Sequence, residues 1–202
     1  MASTSSEDSG VIPTPVKIVV AGGFGAGKTT MVASVSEIVP LSTEEVMTEA
    51  SSGVDDLTGV ERKTTTTVAL DFGRITISPQ TVLYLFGTPG QDRFWFMWDE
   101  LALGAIGTVV LVDTRRLDSS FAAIDFFERR KIPFIVAVNC FADADDYQED
   151  EIRKALAIAP GVPVMFFDAR SRESSKLALI RLVRYAMSKL PAEPAELARS
   201  GT

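Results

Sequence analysis

Eight consecutive residues, Gly22-Gly23-Phe24-Gly25-Ala26-Gly27-Lys28-Thr29, constrain this chain more than the rest of it together. They fit the pattern G-x-x-x-x-G-K-[ST], and what flanks them decides how the pattern is read. Before them, the apolar and largely β-branched run Val16–Ala21 has the character of a buried parallel strand. After them, Met31, Val32, Val35, Ile38 and Val39 recur at helical spacing, which predicts a helix over Lys28–Val39. A strand, a glycine turn and a helix in that order put main-chain amides at the positive end of a helix dipole. Glycines there let the backbone wrap closely around an anion. Lys28 would set a compact cation on the β- and γ-phosphates of a nucleotide, and the Thr29 hydroxyl would ligate Mg²⁺. Residues Gly22–Thr30 are thus the candidate phosphate-holding segment, and a merely glycine-rich turn is the weaker alternative.

Beyond this turn, strand-like and helix-like segments alternate. Thr67–Thr76 and Thr81–Phe86 read as two strands joined through Ser78-Pro79-Gln80. Asp92–Leu103 reads as a helix, apolar on nearly every face. Ile106–Val112, Phe134–Val138 and Val164–Phe167 then read as strands, each followed by a helix: Ser119–Lys131, Gln148–Ala159 and Ser174–Leu190. Residues 40–66 are the least regular stretch, with Ser42-Thr43-Glu44-Glu45 a capping-box signal for a short helical turn. About six strands and five helices predict an α/β, doubly wound, mostly parallel sheet with one antiparallel edge. The expected organisation is one domain over residues 16–190, between a Ser/Thr-rich arm at 1–15 and a Pro/Ala/Glu tail at 191–202.

Composition narrows the chemistry. The 202 residues carry 27 acidic and 20 basic side chains, a formal charge of −7 without a long basic run, which argues against a nucleic-acid partner. With no histidine in the chain, an imidazole base or imidazole metal ligand is excluded. Cys140 is the sole cysteine and suits a reducing compartment. No apolar run reaches the roughly 18 residues of a spanning helix, and no secretory pattern opens the chain, so a cytoplasmic location is expected. Ala2 follows Met1 and the last four residues contain no cysteine. Neither myristoylation nor prenylation is therefore expected, and membrane recruitment would come through a partner.

Three later segments resemble the small Ras-like GTPases. Leu85-Phe86-Gly87-Thr88-Pro89-Gly90-Gln91 ends a strand where that family carries Asp-x-x-Gly-Gln. Phe134–Asn139 is a strand ending in the asparagine of a base-reading motif, and Asp168-Ala169-Arg170 resembles the later Ser-Ala-Lys loop. Together with TEEVMTEASSG (residues 43–53), KTTTTVALDFGRI (residues 63–75) and FGTPGQDRFWFMW, they resemble the prokaryotic GTPases of actinobacterial conservon operons. Those are relatives of the gliding-motility polarity GTPase. The resemblance implies a GTP/GDP switch that uses Mg²⁺ and works with a Roadblock/LC7-type regulator, a sensor-kinase-like membrane protein and a small DNA-binding-like protein. It assigns γ-phosphate and Mg²⁺ sensing to Thr67, with Thr66 as the alternative, and water positioning to Gln91 beside Gly90. Base contact falls to Asn139, Cys140, Asp143, Ala169 and Arg170. The four threonines at 64–67 also suit a simple strand start.

Three departures from the family pattern carry expectations of their own. Gly87 replaces the aspartate that holds Mg²⁺ through water, which predicts either lowered metal affinity or a metal ordered only with triphosphate bound. Asp113 ends the hydrophobic strand GTVVLVD, where other phosphate-loop enzymes place a metal-binding carboxylate; here it reads better as a strand-end loop residue. In Asn139-Cys140-Phe141-Ala142-Asp143, Ala142 takes the place of the guanine-reading carboxylate, so guanine selection depends on a bulge that brings Asp143 forward. No arginine directly precedes Thr67, which predicts slow intrinsic hydrolysis; Arg62 and Arg93 could serve as internal fingers, though they read better as solvated surface arginines. Phe94–Trp98 is too aromatic to face the core on every side, marking a candidate partner surface. A nucleotide-binding scaffold without useful hydrolysis and a small-molecule kinase are the competing functions.

Overall fold

The computed structural model describes residues 12–48, 65–90 and 96–190. Residues 1–11 of the arm expected at 1–15 and the tail at 191–202 lie outside this range, as do Arg62 and residues 91–95.

A seven-stranded sheet forms the middle layer, in the order β2-β3-β4-β1-β5-β6-β7. β1 (Thr14–Gly22) lies at the centre, parallel to both β4 (Thr81–Gly87) and β5 (Ala105–Val112). β6 (Phe134–Asn139) and β7 (Val164–Phe167) continue the parallel half. β3 (Thr65–Ser78) is antiparallel to β4, and β2 (Leu41–Thr48) is antiparallel to β3 at the edge. β1 begins two residues before the predicted strand. Its Ile18, Val19, Val20 and Ala21 are wholly buried, as a strand covered on both faces requires.

Helices cover each face. α1 (Lys28–Val35) and α5 (Arg172–Ser188) pack Met31, Val32, Val35, Ala178, Leu179 and Leu182 against one side. On the other side lie α2 (Phe96–Ala102), α3 (Phe121–Arg130) and α4 (Glu149–Ala155), with Trp98, Ile124, Phe127 and Ile152 inside. A 3₁₀ helix over Thr114–Ser120 leads from β5 into α3.

The doubly wound sheet with five helices is the predicted class, with seven strands in place of about six. The added strand corrects the helical turn expected at Ser42–Glu45: this stretch is β2, paired residue for residue with β3 from Leu41↔Phe72 to Thr48↔Thr65. Cross-strand pairing overrides the local capping signal. α1 also ends earlier than its apolar period suggests. Ser36 turns to an extended conformation (ψ 141°), and its hydroxyl donates to the Ile38 carbonyl while accepting from the amides of Ile38 and Arg74. These local bonds compete with the helix and take the chain toward β3. α4 stops at Ala155, short of the expected Ala159, and Ala157 adopts a positive φ of 51° just beyond it.

β3 outruns its inner partner. Asp71 pairs with Gly87, the last residue of β4, so residues 65–70 pair with β2 alone. A two-stranded ribbon therefore extends past the end of the central sheet where the glycine loop begins.

Candidate functional site

Gly22–Thr29 joins β1 to α1 at the carboxyl end of the central strand, the place where ligands bind open α/β sheets. Gly27 occupies the position before α1 with φ 105°, and a Cβ there would lie 2.6 Å from Asn139 Nδ2, so both conformation and space require glycine. Among the described residues no side chain caps α1, which leaves its leading amides to an anion.

Lys28 curls back over this loop. Its Nζ donates to the Gly22 carbonyl at 2.9 Å and the Gly23 carbonyl at 2.7 Å, and the residue is only 8% exposed. Burial pushes the ammonium down to about 8 from the ordinary 10.5, with the Asp71 carboxylate opposing the shift. A cavity of about 290 Å³ opens here, walled by Phe24, Lys28, Thr29, Thr30, Asp71 and Gly90. Gly90 sits hard against the loop: a Cβ on it would lie 2.7 Å from Lys28 Nζ and 2.9 Å from the Phe24 backbone.

Asp71 is a site residue that the sequence did not reveal. It is 6% exposed, and its Oδ2 accepts from the Thr29 hydroxyl at 2.7 Å. Because Asp71 pairs with Gly87, a Cβ at Gly87 would fall 3.0 Å from both Asp71 Cβ and Oδ2. The corner that Gly87 vacates is thus filled by a carboxylate from the neighbouring strand. The available signal was an acidic residue inside a strand-like run, at a position that hairpin pairing brings to the end of β4.

At the far end of the loop, Asn139 joins two segments. Its Nδ2 donates to the Ala26 carbonyl at 3.1 Å and its Oδ1 accepts the Ala169 amide at 3.1 Å. Both residues are buried, so the phosphate loop and the Ala169 turn are braced by one amide side chain. Cys140 is exposed and bonds through its amide to the Phe167 carbonyl. A cavity of about 370 Å³ lies beside Asn139, bounded also by Phe141, Tyr147 and Phe166. Arg170 points away into an exposed ion pair with Asp168 at 2.9 Å.

Asp143 does not face an open base site. Arg115 Nη1 donates to both of its oxygens, at 2.7 and 2.9 Å, and the same guanidinium stacks 3.8 Å from the Phe141 ring centroid. Arg115 is itself gripped by Asp113, which accepts from its amide, Nε and Nη2 at 2.8–3.0 Å. These bonds hold the Asp113 and Asp143 carboxyls below the usual carboxylate range and raise Arg115 above its own. Asp113 is 1% exposed and serves as the cap of the 3₁₀ helix, the strand-end role expected of it.

Gln91 lies outside the described residues. Thr67 is paired with Val46 on the ribbon, and its side chain lies outside the described part of the chain. Four residues of strand separate it from Asp71, about 13 Å at the usual rise. Among the aromatic residues of α2, Trp98 is core: it is 3% exposed, stacks on Phe127, meets Phe126 edge-on and donates to the Pro89 carbonyl. Phe96 is 60% exposed.

The sequence model of a family described as conserved hypothetical ATP-binding proteins matches residues 20–189, from the last residues of β1 to the end of α5. The chain belongs to this family. Within this ATP-binding family context, an uncharacterized protein of Methanocaldococcus jannaschii is 30% identical over 139 residues, covering 68% of this chain and 77% of the relative. Among solved structures, the G domain of the T. maritima FeoB iron transporter superposes with a TM-score of 0.59 at 19% identity, covering 86% of this chain and 99% of that domain. The cytosolic domain of the same transporter in a GDP form gives 0.60 at 19% identity, over 87% of this chain and 64% of its own. At such identities the likeness is one of fold. This member of the ATP-binding family is a nucleotide-binding phosphate-loop domain built like a GTPase G domain.

Proposed function

We propose that the protein is a Ras-like nucleotide switch that binds GTP and GDP and hydrolyses the triphosphate slowly. The observation that carries this reading is the convergence of Lys28, Thr29 and the buried Asp71 on the loop at the head of α1. The loop amides and Lys28 would hold the β- and γ-phosphates. Thr29 and Asp71 are hard oxygen donors and fit Mg²⁺, which is commonly held by one or two protein oxygens plus phosphate and water. When bound, the metal would neutralise charge on the phosphates.

Thr67 and Gln91 are the proposed γ-phosphate sensors. For Thr67 to reach the metal, the β2–β3 ribbon must move, so its rearrangement and that of residues 87–100 would be the conformational signal. Exposed Phe96 beside the Phe94–Trp95 segment is the proposed docking point for a Roadblock/LC7-type regulator, as the conservon resemblance implies. No described helix is long and apolar enough to cross a membrane. Recruitment to one, through a sensor-kinase-like protein, belongs to the same proposal.

A second reading concerns the base. Asp143 is held by Arg115, and Ala142 offers no carboxylate, so an adenine nucleotide fits this site as well as a guanine one. Heating the purified protein and identifying the released nucleotide decides between them. Lys28→Ala should abolish tight binding of either; unchanged affinity for both GTP and ATP would remove the basis of the proposal.

A further inference from the structure

We propose that Arg116 is the arginine, supplied from within the chain, that stabilises charge on the phosphates during hydrolysis. This rests on the nucleotide reading above. The sequence offered Arg62 and Arg93 as options for such a role but read them better as surface residues, and both lie outside the described residues; the geometry points to a third position.

Arg116 lies in the 3₁₀ helix that follows β5, where its backbone (φ −145°, ψ 59°) breaks the helical run. From there its Nη2 donates to the Phe24 carbonyl at 2.6 Å and stands 2.9 Å from where a Cβ on Gly25 would be. The helix carrying it is docked on the loop, since Ser119 lies so close to Gly23 that no side chain fits between them. Ser119 in turn donates to the Arg116 carbonyl at 2.8 Å. Three successive loop carbonyls are therefore held by two cations, Gly22 and Gly23 by Lys28 and Phe24 by Arg116.

Its neighbourhood leaves Arg116 available. Arg115 takes the close bonds of Asp113, and Asp113 Oδ2 is 3.8 Å from Arg116 Nη2. The Arg116 side chain is 51% exposed, so on nucleotide binding it would exchange the Phe24 carbonyl for phosphate oxygens held by the same loop. Guanidinium suits that exchange because it stays charged and offers a planar fork of donors. In the step itself, a water oxygen attacks the γ-phosphorus and the bond from phosphorus to the β–γ bridging oxygen breaks. The electron pair stays on the diphosphate, and the proton of water passes to inorganic phosphate or solvent. Arg116 moves no proton; it donates to the oxygens on which charge accumulates.

A merely structural clamp on Phe24 makes different predictions. Arg116→Ala and Arg116→Lys are compared with wild type for GDP and ADP affinity, for single-turnover hydrolysis of GTP and ATP, and for capture of diphosphate with fluoroaluminate. The expected result is diphosphate affinity within about threefold of wild type, hydrolysis lowered by about 10²–10³ in Arg116→Ala, and loss of fluoroaluminate capture, with lysine restoring only part. Parallel weakening of diphosphate and fluoroaluminate binding, or hydrolysis within about threefold of wild type, would overturn the proposal. So would wild-type protein that binds diphosphate but neither hydrolyses triphosphate nor captures fluoroaluminate, because the arginine is already present. Wild-type protein that binds no nucleotide at all would instead sink the underlying nucleotide reading.

Discussion

Lys28 links the candidate site to stability with a sign opposite to that of a salt-bridged surface lysine. In the nucleotide-free protein its ammonium is pushed down to about 8 from 10.5 by burial, while the unfolded chain keeps the ordinary value. Between those two values the unfolded state binds more protons than the folded one, so stability rises with pH across that window. Below pH 8 the cost of burying the charge is present in full; it is relieved progressively as the folded-state lysine deprotonates. At about 1.4 kcal/mol per pH unit, the interval from about 8 to 10.5 amounts to about 3 kcal/mol.

Urea unfolding of wild type and Lys28→Met across pH 7–10.5 measures this term. Taking the difference removes the contribution of every other ionisable group. Wild type should gain about 2–3 kcal/mol relative to the variant between the ends of the range. Bound triphosphate should reverse the linkage, because the phosphates favour the charged lysine. Affinity would then fall by up to about tenfold per pH unit above pH 8. A difference between wild type and variant that stays flat with pH would refute the claim that a buried ammonium waits in this loop for phosphate.

Other consequences are open to direct test. Asp71→Gly should weaken Mg²⁺-dependent triphosphate binding by at least about tenfold, and adding Gly87→Asp to it should recover part of the loss by returning a carboxylate to the same corner. Gly87→Asp alone should bind worse than wild type, since the new side chain meets Asp71; isothermal titration with and without Mg²⁺ reads all three. Ala142→Asp should raise preference for GTP over ATP by about tenfold or more, the worth of meeting a buried donor pair, in a competition assay. Trp98→Ala should cost about 3–5 kcal/mol in urea unfolding, because it empties the space between α2 and α3.

Much of the fold was legible because its signals are local. Each strand of the parallel half carries a short, mostly apolar run, and the G-x-x-x-x-G-K-T turn fixes where the first strand ends and the first helix begins. What escaped notice was set by partners distant in sequence. β2 carries Glu44 and Glu45 and reads as a helix start, yet it is a strand because β3 overhangs the sheet and leaves an edge to pair. The bond from Arg115 to Asp143 spans 28 residues, and no spacing rule connects its ends.

Asp71 shows why the site was harder to read than the fold. Counting outward from the turn at Pro79-Gln80, a regular hairpin that closes at Ser78↔Thr81 would set Asp71 opposite Thr88. The pairing instead shifts by one between Thr76 and Ser78, where Ile77 bulges outward, and every pair from Thr76↔Val82 to Asp71↔Gly87 follows from that shift. A one-residue change of register exchanges the two faces of a strand, so without the bulge the carboxylate would stand opposite a different residue and not meet Thr29. A hydrophobic residue 62% exposed on the far side of the molecule thus determines whether the phosphate loop has an acidic neighbour. The compensation between Gly87 and Asp71 is a property of strand register, which a motif confined to one segment does not encode.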